Sequence, residues 1–206
     1  MLEVLDRYGL RCTTSLSMSV YEHYPDIFEA CESRGWDTLC HGVYNTRYHW
    51  GLEEDVERAY IADCIETYRR LTGRQLAGWF GPATSQTVNT PDLVAEAGIS
   101  YYTDWFHDDQ PFPMRVRNGT LITVPYTVDL NDFILERGNT DAAGFSRMIK
   151  DHFDTVYREG ETQPRVMAIA LHPFIMGQPH RLRHLDDALG YVCGHDDVWQ
   201  ATGAEI

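Results

Sequence analysis

Apolar residues recur three and four apart through "EEDVERAYIADCIETYRRLTG", where Val56, Tyr60, Ile61, Cys64, Ile65 and Tyr68 share one face. That spacing predicts a helix, and Gly73 supplies its stop. "TPDLVAEAG" predicts a second helix, with Thr90 as N-cap, Pro91 at its first position and Gly98 past its end. Helical spacing returns in "YPDIFEACESRGW", "TDAAGFSRMIKDHFDTVYREG" and "RLRHLDDALGYVCG". Between these lie short apolar runs of strand character: "RCTTSLS", "DTLCH", "LAGWFGP", "ISYYTDW" and "RVMAIALHP". "MRVRNGTLITVPYTV" reads as a hairpin closed at Asn118-Gly119, followed by a strand.

Strands alternating with helices of ten or more residues imply βαβ units and a mainly parallel sheet. About six such units without a G-x-G-x-x-G fingerprint fit an α/β barrel better than a doubly wound dinucleotide fold, so no nucleotide cofactor is expected. The first residues, "MLEVLDRYGL", read as the last turns of an amphipathic helix stopped at Gly9. A barrel that opens on a helix end is expected to be incomplete at its N-terminus. Its bare sheet edge predicts self-association, making the partner a second copy of the chain.

With 206 residues the chain is read as one domain, residues 1–206, and its 43% apolar and 23% charged content describes a globular protein. The formal charge of −14 disfavours a nucleic acid or an anionic membrane surface as partner and leaves a small molecule. Five cysteines without a C-x-x-C pair read as reduced core thiols and predict a cytoplasmic setting.

In α/β barrels the reacting groups gather at the C-terminal ends of the strands. "DTLC" runs into His41, "LAGWF" into Gly81-Pro82, and "ISYYT" into Asp104-Trp105. "LITVP" runs into Tyr126, and "VMAIAL" into His172-Pro173. Five runs that each end on a polar or rigid residue form a pattern and predict a shared cavity with two imidazoles foremost. The plainer alternative stays open at each site: a strand-end histidine bonded to backbone, or an aspartate capping a loop.

In this order the signals resemble the polysaccharide deacetylase (NodB-homology) family, and within it an allantoinase-like branch. "CHGVYN" is similar to the family's His-Gly segment. "GWFGPATSQTVNTPDLVAEAGISYYTDWFHDDQP" resembles the arginine-proline and aspartate-tryptophan segments, and "ALHPFIMGQPHRLRHLDDALGYV" the Leu-His-Pro segment. The resemblance implies a distorted (β/α)7, TIM-like barrel and hydrolysis of a non-peptide C–N bond. A water must then be deprotonated, the oxyanion stabilised and the leaving nitrogen protonated. His172 is implied as that acid, with His41 as the second catalytic group. Asn45, Trp79, Pro82, Asp104, Trp105 and Tyr126 are implied to line the substrate site.

Metal-dependent members hold an ion such as zinc with an aspartate and two histidines. Here His41 and Asn45 occupy the two histidine positions, and a neutral amide is a poorer zinc ligand than imidazole. His49, eight residues after His41, reaches the same place only if the loop folds back. The early Asp-Asp segment is expected upstream of "RCTTSLS", and Phe80-Gly81-Pro82 stands where the arginine-proline segment is expected. The absent arginine points to a small cyclic ureide or imide, while the absent Asp-Asp segment is expected to reflect a shortened start, a strand supplied by another subunit, or an inactive protein. A metal-dependent N-acetyl sugar deacetylase and a non-catalytic ligand-binding domain are the competing expectations.

Overall fold

The computed structural model describes residues 1–206. In chain order the elements are α1 (Leu2–Arg7), β1 (Thr13–Leu16), α2 (Met18–His23), α3 (Pro25–Glu32), β2 (Asp37–Cys40) and α4 (Glu54–Thr72). They continue with β3 (Gly78–Trp79), α5 (Thr90–Glu96), β4 (Tyr101–Tyr102), β5 (Phe112–Met114), β6 (Leu121–Thr123), α6 (Ala142–Gly160) and α7 (Pro179–Cys193). No helix is long and apolar enough to cross a membrane.

Packing groups the chain into two compact units. One comprises residues 11–105, 111–124 and 201–206, and the other residues 1–10, 106–110 and 125–200. Each has its own buried apolar cluster, which is the physical reason they separate.

The first unit holds the whole sheet, in the order β1-β2-β3-β4-β6-β5. All neighbours pair in parallel except β5 with β6, the expected hairpin, in which Met114 faces Leu121 and Phe112 faces Thr123. This is the α/β class with a parallel sheet that the alternating pattern predicts. Helix α4 forms where its apolar face demands, and buries Tyr60, Ile61, Cys64 and Tyr68. Its first turn carries Glu54, Asp55 and Glu57 and its last turn Arg69 and Arg70, matching the helix dipole. Gly73 ends it at φ 71°, donating its N–H to Arg69 O. Around that face pack Met18, Trp79, Leu93, Val94 and Tyr102, each large side chain contributing about 1.5–3 kcal/mol by leaving water. Gly78 pairs with Tyr101, and a Cβ at Gly78 would meet the Tyr101 ring at 2.1 Å. Glycine therefore lets that ring lie across β3, where its hydroxyl donates to Asp37 Oδ2 at 2.6 Å.

In the second unit α6 and α7 pack together, burying Phe145, Ile149 and Phe153 from one and Leu185, Ala188 and Leu189 from the other. Asp141 caps α6 by accepting the Gly144 N–H at 2.7 Å. The run "RVMAIAL" is apolar enough to predict a strand, yet it makes one isolated parallel bridge, Ala170 to Asn131. Its neighbour over residues 128–135 is wound into two 3-10 turns, so no continuous edge is offered for pairing.

Candidate functional site

The isolated bridge fixes one constellation in the second unit. Ala170 donates to Leu130 O and accepts from the Asp132 N–H, both at 3.0 Å. That pairing sets Asp132 beside His172. The Asp132 carboxylate is fully buried. Its Oδ1 accepts from His172 Nδ1 at 2.6 Å, while Oδ2 accepts the backbone N–H of His172 at 2.8 Å and of Met176 at 3.3 Å. A carboxylate only accepts, so Nδ1 carries a hydrogen and Nε2 is the nitrogen free to exchange a proton. The His172 side chain is 37% exposed. Asp132 lies in the "VDLND" that follows Tyr126, and no spacing pairs it with His172 forty residues on. Tyr126 itself is half-buried, and its hydroxyl accepts from Asn131 Nδ2 at 2.7 Å.

In the first unit, parallel register delivers His41, Gly81 and Asp104 at the C-terminal edge of β2, β3 and β4. His41 Nδ1 lies 2.9 Å from Phe80 O, and the two rings stack at 5.0 Å, so the imidazole is oriented by β3. Gly42 has φ 71°, and a Cβ there would sit 2.3 Å from Tyr60 Oη and 2.9 Å from Pro82 Cγ. The close approach for which glycine is needed is therefore by the protein's own tyrosine and proline. Asn45 is exposed on the loop beyond.

That loop does fold back, but His49 turns inward. The side chains of His49 and Glu57 are wholly buried. His49 Nδ1 donates to Glu57 Oε1 at 2.8 Å, Thr87 Oγ1 donates to Oε2 at 2.5 Å, and Thr90 Oγ1 donates to Oε1. Burial opposes the charge on Glu57, yet these three donors outweigh it and hold the carboxyl below the ordinary glutamate range. The His49 ring stands edge-on to Tyr60 and Trp79.

Asp104 is a different case. Both its oxygens lie within reach of the Gly81 N–H, at 2.8 and 3.0 Å. Burial pushes its carboxyl up to about 8, against the opposing bonds from Gly81 and Tyr102. It thereby anchors a turn in which Ala83 and Thr84 both hold φ 53°, a region that L side chains rarely adopt. Trp105, half-exposed, donates its indole N–H to Gln86 Oε1 at 2.8 Å, which also accepts from Tyr102. Of the expected lining residues, Trp79 is 0% exposed and Pro82 is buried. Their apolar surface packs in the core, which leaves them as supports under the edge.

The donor set does not suit a metal. No three His, Cys, Asp or Glu side chains converge to hold an ion. Asn45 is a neutral amide and His49 faces Glu57, so His41 is the sole imidazole of the expected ligand pair.

Residues 1–102 match the model of the family described as Polysaccharide deacetylase. The match, just under half of the chain, makes it similar to the polysaccharide deacetylase family. A curated relative from Schizosaccharomyces pombe, named "Putative polysaccharide deacetylase", is 27% identical over 205 residues, which are 90% of this chain and 63% of the relative. The chain thus spans less than two thirds of that relative's length. Peptidoglycan deacetylase of Helicobacter pylori is 21% identical across all of this chain and 80% of its own. Among solved structures, Puue allantoinase superposes with a TM-score of 0.89 at 28% identity, covering 99% of this chain and 68% of that one. A probable polysaccharide deacetylase from Pseudomonas aeruginosa PAO1 gives 0.90 at 29% identity, covering 99% and 69%. The fold is therefore that of the family's NodB-type (β/α) barrels.

Proposed function

We propose that the chain is a hydrolase of non-peptide C–N bonds that opens a small cyclic ureide or imide, with His172 protonating the departing nitrogen. The observation that carries this is the His172–Asp132 pair. A buried carboxylate grips Nδ1 and the backbone N–H of the same histidine, leaving Nε2 as its one proton-exchanging atom. In amide hydrolysis the tetrahedral adduct collapses only when the amine leaves protonated. As the C–N bond breaks, the Nε2 proton passes to the leaving nitrogen from a ring that Asp132 holds in place. The likeness to Puue allantoinase supports a cyclic ureide as the substrate.

Turnover of allantoin, succinimide and N,N'-diacetylchitobiose, compared with His172→Ala, tests the proposal. Ring opening that is lost in the variant supports it, and unchanged turnover removes His172 from the mechanism. The names of the curated relatives favour a second reading, N-deacetylation of an amino sugar. Release of acetate from the chitobiose alone would establish that instead.

A further inference from the structure

The His172 ring has two aromatic neighbours within the same unit. Phe174 stands edge-on to it with ring centres 5.4 Å apart, and Phe133 is tilted against it at 6.1 Å. Phe174 is 64% exposed and Phe133 42% exposed. The two belong to different segments. Phe133 sits in the 3-10 turn that also carries Asp132, and Phe174 in the turn after His172-Pro173. Arg137 lies over the Phe133 ring at 5.7 Å, a cation–π contact that holds that phenyl in place. A single exposed aromatic needs no explanation. Two in contact with the ring whose Nε2 exchanges a proton form an aromatic frame beside it.

We propose that Phe133 and Phe174 are specificity-determining residues that select a flat, uncharged cyclic imide or ureide with apolar faces. The proposal rests on the reading of His172 as the proton donor. A planar imide keeps its nitrogen and both carbonyls in the ring plane, so its polar edge meets His172 Nε2 while its π faces lie against phenyl. A pyranose is puckered and rimmed with hydroxyls, and a phenyl ring offers them no hydrogen-bond partner. The frame therefore favours substrates in proportion to their flat apolar area: phthalimide over succinimide, and either over an N-acetylated sugar.

Two measurements test this on the full chain. In steady-state kinetics, Phe174→Ala and Phe133→Ala each raise KM for phthalimide by up to about tenfold with kcat little changed. Phe174→Tyr restores the KM, and the N-acetyl sugar is indifferent to all three variants. In a titration followed by the NMR resonances of the His172 ring, phthalimide gives a saturable shift that weakens in the alanine variants, whether or not turnover occurs. Circular dichroism confirms that each variant is folded. Equal losses on every substrate, or no loss on any, overturn the proposal, as does the absence of phthalimide binding to the unsubstituted chain. Phenylalanine-dependent binding beside His172 without ring opening upholds the recognition frame and removes the hydrolytic reading instead.

Discussion

Asp132 holds His172 twice: one carboxylate oxygen takes the ring Nδ1–H and the other takes the backbone N–H of the same residue. Replacing the carboxylate by the amide of Asp132→Asn places an NH2 group where an acceptor is required and reverses the tautomer of the imidazole. Imide ring opening is expected to fall by about 10²–10⁴-fold in kcat, the range that general acid–base catalysis supplies. His172→Ala should lose a similar amount, and the double variant little more, because the two act as one unit. Additive losses in the double variant would break the pairing argument.

The Glu57 cluster makes a prediction about stability. Glu57→Gln leaves His49 Nδ1 and two threonine hydroxyls sharing a neutral amide in a buried site, which costs about 3 kcal/mol when one partner of a buried pair is removed. Urea unfolding midpoints measure it. The pH dependence has a definite sign: a folded-state pKa below the unfolded value stabilises above the unfolded value and is lost as pH falls through the folded one. The difference between the two proteins should therefore shrink on acidification below about pH 4.

Asp104 gives the opposite sign. Its folded carboxyl titrates near 8, above the unfolded value of 3.8. Its contribution to stability is present below the unfolded value and lost as pH rises through that window. Asp104→Asn keeps an acceptor for the Gly81 N–H and never ionises. The variant should match the parent near pH 4 and exceed it above pH 8, with thermal melting across that range as the measurement. Parallel stability curves would refute the burial argument.

Gly42→Ala tests the tight passage behind His41. The added methyl would lie 2.3 Å from Tyr60 Oη on a backbone at φ 71°, so both clash and strain apply. A loss of about 2–4 kcal/mol follows. Combining it with Tyr60→Phe should relieve part of that loss, which a double-mutant cycle reads directly.

The fold was legible where a pattern is long. Nineteen residues of 3.6-residue periodicity closed by Gly73 announce α4, and Asn118-Gly119 announces the β5–β6 hairpin. Helix α2 was not, because six residues are too few to show a face; it exists because Met18 and Tyr21 are buried by their neighbours. "RVMAIAL" has the composition of a buried strand, but pairing belongs to two segments, and its neighbour's 3-10 turns are invisible from the run itself. The site divides in the same way. His172 stands out because an imidazole directly follows an apolar run. Asp132 looks like an ordinary loop aspartate, and Glu57 like one of several acids in a first helical turn, until a partner far along the chain is placed beside each. Trp79, which the resemblance implies as a lining residue, is buried with its bulk in the core.

His41 tied to Phe80 O and His49 tied to Glu57 clamp the two ends of a seven-residue span, Gly42 to Tyr48, whose middle positions 44–48 are exposed. Engineers wanting altered selectivity could exchange the exposed side chains of Tyr44, Asn45 and Thr46, because both rivets and the Arg47–Tyr60 contact lie outside that cassette. Binding preference would then become separable from folding.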